Sequence, residues 1–324
     1  MSLALQQKLS AMFLNFSTQY EAGYQGAPDW ASKVAMQITS NTRTNLIGWM
    51  DKIPSVRQWL GPRIIQNAAL RNRLIENKKY ELSLGVPKDD VDDDTHGLYA
   101  PMAKDMGEAF RLHPQQRIAA DLILFNSLAG PVGFDDVSFF NTAHPVNIDV
   151  TGGATQSNIV TAAQSGGSLV TGYKKAKARM MGFKGADGKP MGIMGDTLLV
   201  PPALEGDGLQ LFNSTFYPTY LAGSTTAGNV AAADNVWKGA GQLVVGPELD
   251  GGAGGAADTT AWLLCTSKAV RPFVHQVRQA PQFTPLFNPT DPNVAFNNEY
   301  LMLGDCRDGF DVSLWFLAVR IDLA

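Results

Sequence analysis

His144 is the residue in this chain best suited to acid–base work, because Asp135 and Asp136 precede it closely and an imidazole beside a carboxylate moves protons near neutral pH. No Gly-x-Ser-x-Gly, His-Glu-x-x-His, Gly-Lys-Ser or Gly-Lys-Thr accompanies it, so neither an activated nucleophile nor a phosphate loop is legible. A histidine that orders its own loop by hydrogen bonds is the favoured reading. Asp89, Asp90, Asp92, Asp93 and Asp94 place five carboxylates in six positions. Calcium favours such oxygen clusters, but the spacing departs from a calcium loop, and the expected role is to cap the following helix, whose N-terminus favours anions. Lys174, Lys175, Lys177 and Arg179 make one helix locally basic, for an anionic contact or simply a solvated face. Cys265 and Cys306 are too few and too far apart for a disulfide framework or a zinc motif, and are expected as buried free thiols. His96, His113 and His275 stand apart and suggest no shared site. The residues therefore point to no enzyme, no metal and no cofactor.

Composition narrows the classes further. The net charge of −4 and pI near 5.6 oppose a nucleic-acid-gripping surface, which needs excess positive charge to displace counterions. Charged residues are only 17% of the chain against about 25% in an average globular protein. Either a large enclosed core or a surface covered by copies of the same chain lowers charge in this way. No apolar run approaches the ~20 residues that span a bilayer, and the expected setting is a soluble, unsecreted chain in a reducing cytoplasm.

The elements that must position these residues follow an α+β order rather than a repeating βαβ one. Leu5, Leu9, Met12, Phe13 and Phe16 recur at helical spacing within an arm over residues 1–50. Residues 53–87 read as a long hairpin, extended over Val56–Ile65 and Leu74–Val86 with partial alternation at Tyr80, Leu82 and Leu84. Two strands alone are marginal in water, so arm and hairpin both need something to lie on. Leu98, Met102, Met106, Ala109 and Phe110, then Ile118, Leu122 and Phe125, mark a long helix over 98–128, either kinked at Pro114 or split there. Leu169, Tyr173, Ala176 and Met180 mark another helix, followed by a turn at Gly185–Pro190 and a strand at Asp196–Val200 that Pro201 and Pro202 stop. Residues 221–257 read as loop, and strands return at Trp262–Ser267, Phe273–Arg278 and Gly309–Ile321.

Five phrases occur in a fixed order: Arg57-Gln-Trp-Leu-Gly-Pro-Arg63, Asn77-Lys-Lys-Tyr-Glu81, Asp92-Asp-Asp-Thr-His-Gly-Leu-Tyr99, Phe139-Phe-Asn-Thr-Ala-His-Pro-Val146 and Leu198-Leu-Val-Pro-Pro-Ala-Leu-Glu205. Together they resemble the major head subunit of Mu-like phages and prophages, and the likeness runs from about Trp49 to Ala318. Its specificity comes from number and order, since each phrase alone is common. The resemblance implies the HK97-like capsid fold of tailed phages. In that plan residues 1–50 are the N-terminal arm, and 51–154 the first part of the peripheral domain, with the extended loop at 53–90 and the spine helix at 98–128. Residues 155–285 are then the axial domain, and 286–324 return to the peripheral domain.

The resemblance also implies a function. Copies of the chain would assemble into hexamers and pentamers of an icosahedral head shell around phage DNA, since a contact repeated about an axis closes into a ring. Expected partners are the chain itself, a separate scaffold protein, a head protease and a portal, with packaged double-stranded DNA contacted weakly and no membrane. The setting would be the virion capsid, built in the bacterial host cytoplasm. A nanocompartment shell around an enzyme shares the fold, and a metal-assisted hydrolase using the aspartate run and His144 is the reading from another class. Arg57, Trp59, Arg63, Arg71 and Arg73 are the expected intersubunit contacts, because Trp and Arg are favoured interface anchors. Trp59→Ala or Arg63→Glu should impair assembly, followed by sedimentation, while the circular dichroism of the isolated subunit stays native. Normal assembly by both variants, or loss of the folded signal, contradicts that assignment.

Overall fold

The structure is a computed structural model that describes residues 3–50, 70–93, 99–125, 131–162, 168–220, 230–250 and 259–323. The chain opens with helix α1 (Leu3–Gly26), a short α2 (Ala31–Val34) and strands β1 (Ala35–Thr39), β2 (Thr44–Met50), β3 (Leu70–Glu76) and β4 (Lys78–Pro87). Helices α3 (Lys88–Asp92) and α4 (Ala100–Phe125) follow, then β5 (His144–Pro145), β6 (Thr155–Gln156), β7 (Ile159–Ala162) and α5 (Ser168–Met181). Next come β8 (Thr197–Val200), α6 (Glu205–Asn213), β9 (Phe216–Tyr220), β10 (Val230–Asp234), β11 (Gln242–Val245) and β12 (Thr260–Leu264). The chain closes with β13 (Phe273–Leu286), α7 (Pro292–Asn297), β14 (Glu299–Val312) and β15 (Ala318–Leu323).

Two larger sheets organise the molecule. One has the order β1-β13-β14-β4, and the other, mixed parallel and antiparallel, has β11-β8-β12-β15-β7. On β14 the side chains of Tyr300, Met302, Cys306 and Asp308 alternate into the interior, as period-two geometry requires, and meet the apolar faces of α4 and α1. Gly304 falls in the same row because a side chain there would collide with the Phe110 ring. Tyr80, Leu82 and Leu84 of β4 pack against this layer, as their alternation predicts. The five-stranded sheet is lined instead by α5, whose predicted face Leu169, Tyr173, Ala176 and Met180 is fully buried.

Helices α1 and α4 cross closely enough for glycine to be required on both. A Cβ on Gly107 would strike the carbonyl oxygen of Tyr20, and one on Gly23 would strike that of Lys104. Aromatic contacts flank the crossing, with Phe16 edge-on to Phe287 at 5.5 Å and Tyr20 stacked on Phe283 at 4.8 Å. The segment after α1 is pinned to the same helix: the buried Gln115 amide donates to Pro28 O at 2.6 Å and accepts from Trp30 N–H at 3.3 Å. The expected arm thus lies on its own subunit, and β1 pairs in parallel with β13.

Several expectations shift in detail. Proline inside a helix costs about 3 kcal/mol, yet α4 passes through Pro114 unbroken because Phe110, Gln115, Ile118 and Ala119 are buried on both sides of it. Ala103 and Gly107, rather than Ala109, complete its buried face. The hairpin stem is β2 with β3, starting at Thr44 rather than 53, and buried Asn77 separates β3 from β4. Val56–Ile65 lies outside the described residues. Within the stretch read as loop, β10 pairs with β9 and the four-residue β11 joins β8; such short strands carry little periodic signal.

Residues 286–324, expected to return to a single sheet, divide. Strand β14 joins the four-stranded sheet, while β15 sits inside the five-stranded one. Ser313 N–H bonds Pro272 O at 2.9 Å, and a single helical turn at Trp315–Leu317 redirects the chain between them. Likewise β13 belongs with β14 from Phe273 onward, ahead of the expected boundary at 285.

Gly107→Ala discriminates two effects by sign. Helix propensity alone favours alanine by about 1 kcal/mol, whereas overpacking costs roughly 1–3 kcal/mol. We expect net destabilisation in urea unfolding; a more stable variant would show that α1 does not lie against α4 as described.

Candidate assembly surface

The hairpin stem has two unlike faces. Leu46 and Leu74 stand directly opposite each other across β2 and β3, and are 65% and 62% exposed. On the other face Ile75 is buried, meeting the backbone of Gly309, where an added Cβ would lie 2.9 Å from its side chain. Arg73, also on that face, grips Asp311 of β14 with both arms, Nε to Oδ2 at 2.9 Å and Nη2 to Oδ1 at 2.7 Å, and donates to Gly133 O at 3.4 Å. Burial pushes the Asp311 carboxyl above its ordinary range, and the Arg73 hydrogen bonds and charge offset only part of that. A polar knot holds the foot of the stem: the Asn77 amide donates to Ser40 Oγ at 2.9 Å and Thr42 O at 2.8 Å, and accepts from Gln276 at 2.9 Å.

Of the five expected contact residues, Arg57, Trp59 and Arg63 lie outside the described residues. Arg71 is on β3 opposite Trp49. Arg73 has its guanidinium engaged within the subunit, where it fixes the stem to β14. Leu46 was missed by sequence reading. The strand pairs are symmetric about position 60, beside Gly61-Pro62, a turn dipeptide that would have placed Leu46 across from Leu74.

His144 is sealed. Its side chain and that of Asp135 are 0% exposed, with Nδ1 2.6 Å from Asp135 Oδ2 and Nε2 3.2 Å from Asn158 Oδ1. The Asn158 amide is oriented by its own partners, accepting from Asn141 N–H at 2.9 Å and donating to Phe139 O at 2.7 Å, so Nε2 must be a donor. The ring also lies flat on Trp315 at 4.1 Å. This arrangement ties the loop 131–158 to β15 and the turn before it, since Asn158 O accepts from Arg320 N–H.

The aspartate run is exposed where it is described. Asp89 and Asp90 fall in the first turn of α3, a short helix of its own, rather than at the start of α4, and Asp89 accepts from Asn298 at 3.0 Å. On α5, Lys177 lies over the rings of Tyr173 and Trp237, and Lys175 donates to Thr161 O at 2.9 Å, leaving Lys174 and Arg179 as exposed basic groups. His113 and His275, expected to stand apart, meet on one carboxylate. His113 Nε2 lies 3.4 Å from Asp308 Oδ1 and His275 Nε2 3.2 Å from Oδ2, because α4, β13 and β14 pack together. Both cysteines are buried and free.

A long helix on a four-stranded sheet, a projecting stem and a second mixed sheet together form the fold of tailed-phage capsid shells. The procapsid protein of bacteriophage JBD30 superposes with a TM-score of 0.57 at 23% identity, covering 100% of this chain and 77% of that one. The capsid protein of cyanophage P-SCSP1u gives 0.60 at 11% identity over 92% of this chain and 89% of that one. In sequence, residues 9–170, 168–249 and 251–322 match the Mu-like prophage major head subunit gpT family, and the chain belongs to that family. The major capsid protein of Escherichia phage Mu is 35% identical over 155 residues, 47% of this chain and 50% of that protein. The match spans about half the length of the curated relatives.

Arg73→Ala should destabilise the subunit by roughly 2–3 kcal/mol in urea unfolding, because it leaves Asp311 buried without its cation; the partial exposure of Arg73 keeps this at or below the usual range for a broken buried pair. Arg73→Lys should recover only part, since an ammonium cannot bridge both oxygens. A loss below about 0.5 kcal/mol would mean the clamp does not hold the stem.

Proposed function

We propose that this chain is the building unit of a phage head: copies assemble into hexamers and pentamers that close an icosahedral shell around double-stranded DNA. The observation that carries this reading is the family match, which runs through residues 9–322 with no long stretch left over. In this reading α1 and the strands after it are the arm, the stem β2–β3 with residues 51–69 is the extended loop, and α4 is the spine helix. The five-stranded sheet with α5 and α6 forms the axial part, and β13 and β14 belong with the spine helix. A separate scaffold, a head protease and a portal act with it, and assembly takes place in the cytoplasm of the bacterial host.

The physical driving force we assign to assembly is burial of the stem. Leu46 and Leu74 are exposed in the single subunit, and covering a leucine side chain contributes about 1.5–3 kcal/mol. Repeated around a ring, two such side chains per subunit add up to a strong preference for the closed assembly. Arg57, Trp59, Arg63 and Arg71 are assigned to the same intersubunit contact. The low charge content and mild negative charge fit a surface that meets itself widely and holds packaged DNA loosely.

Concentrated purified chain, with and without the product of the neighbouring scaffold gene, should give rings, tubes or closed shells by sedimentation velocity and electron microscopy. Leu46→Ser with Leu74→Ser should shift that distribution to free subunits. A chain that stays monomeric with its scaffold present would overturn the proposal.

A further inference from the structure

The structure assigns to His113, His275, Cys306 and Asp308 a binding site for a divalent zinc-class cation that links the long helix α4 to strands β13 and β14. The four residues are far apart in sequence and are gathered by packing. Cys306 and Asp308 are two apart on β14 and point to the same face, His275 comes from the neighbouring strand, and His113 reaches down from α4. One ring nitrogen of His113, Cys306 Sγ and a carboxylate oxygen of Asp308 all lie within 4.8 Å of one another. All four residues line one cavity of about 400 Å³.

The donor set is chemically selective. Two imidazole nitrogens, one sulfur and one carboxylate oxygen suit a borderline ion that accepts four mixed ligands, and are a poor set for calcium or magnesium. Bonds of about 2.0–2.3 Å in a tetrahedral centre set neighbouring ligand atoms roughly 3.3–3.8 Å apart. His113 and His275 approach opposite oxygens of the Asp308 carboxylate, at 3.4 and 3.2 Å, so His113, Cys306 and Asp308 form the gathered trio and His275 must shift to complete the four.

Two of the cations lining the cavity are directed elsewhere. Arg111 pairs with Asp29 at 2.7 Å, and Arg271 donates to the carbonyls of Ser32 and Ala35. The imidazoles retain exposures of 17% and 18%, enough for an ion to enter from the cavity.

The test uses the full chain without an affinity tag, stripped with a chelator and titrated first with Zn²⁺ and then with Co²⁺ as a spectroscopic probe. We expect about one equivalent of Zn²⁺ per chain and an unfolding midpoint raised by on the order of 5 °C at a hundredfold excess over Kd. With Co²⁺ a sulfur-to-metal charge-transfer band and strong visible absorption of a four-coordinate ion should appear. Cys306→Ser should abolish the charge-transfer band, and His113→Gln or His275→Gln should weaken binding at least tenfold. The wild-type titration decides even where a variant fails to fold. No saturable Zn²⁺ binding, a Co²⁺ spectrum without sulfur character, or affinity unchanged in folded variants would each overturn the assignment.

Discussion

Strand β14 meets a different neighbour with almost every side chain, and its alternation is the constraint on which the subunit depends. Tyr300, Met302 and Cys306 close the layer under α1 and α4, and Gly304 yields its space to Phe110. Asp308 gathers two imidazoles, and Asp311 holds Arg73 of the stem. Both edges of the strand are paired, with β13 and β4. A register slip of one residue would turn every one of these contacts to the wrong face.

The molecule separates rigid parts from the part offered to other chains. The buried carboxyl groups of Asp135 and Asp308 meet imidazoles inside the subunit, where losing a partner would be costly. The stem β2–β3 does the reverse. It is anchored at its foot through Arg73, Ile75 and Asn77, and presents Leu46 and Leu74 outward. Anchoring lowers the entropy lost when the outward face is covered, so little of the burial energy is spent on ordering the ribbon. A shell of identical subunits has use for such a surface, because one contact repeated about an axis both stabilises and closes the assembly.

The same logic recasts the residues that looked most reactive. His144, beside two aspartates in sequence, is a cross-brace between a loop and the turn before β15, with both ring nitrogens satisfied and its face on Trp315. His113 and His275 looked unrelated because 162 positions separate them, and sequence distance says nothing about neighbours across a sheet. Helix α1 likewise reads as an arm in search of support, and finds it on α4 through a glycine crossing that no periodicity reveals.

By itself, the sequence determined what local periodicity and ordered phrases can carry. The buried face of α5 was legible in Leu169, Tyr173, Ala176 and Met180, the long helix in its repeating apolar positions, β4 in Tyr80, Leu82 and Leu84, and the head-subunit family in five phrases in register. Tertiary structure alone decided whether Pro114 breaks the helix, where the stem begins, and which sheet receives β15, because each depends on contacts between residues distant in the chain. It also decided the chemistry of the polar groups. Arg73 becomes a clamp rather than a free contact only because Asp311, 238 residues on, lies within reach, and charge pairing of that kind is a property of space and not of order.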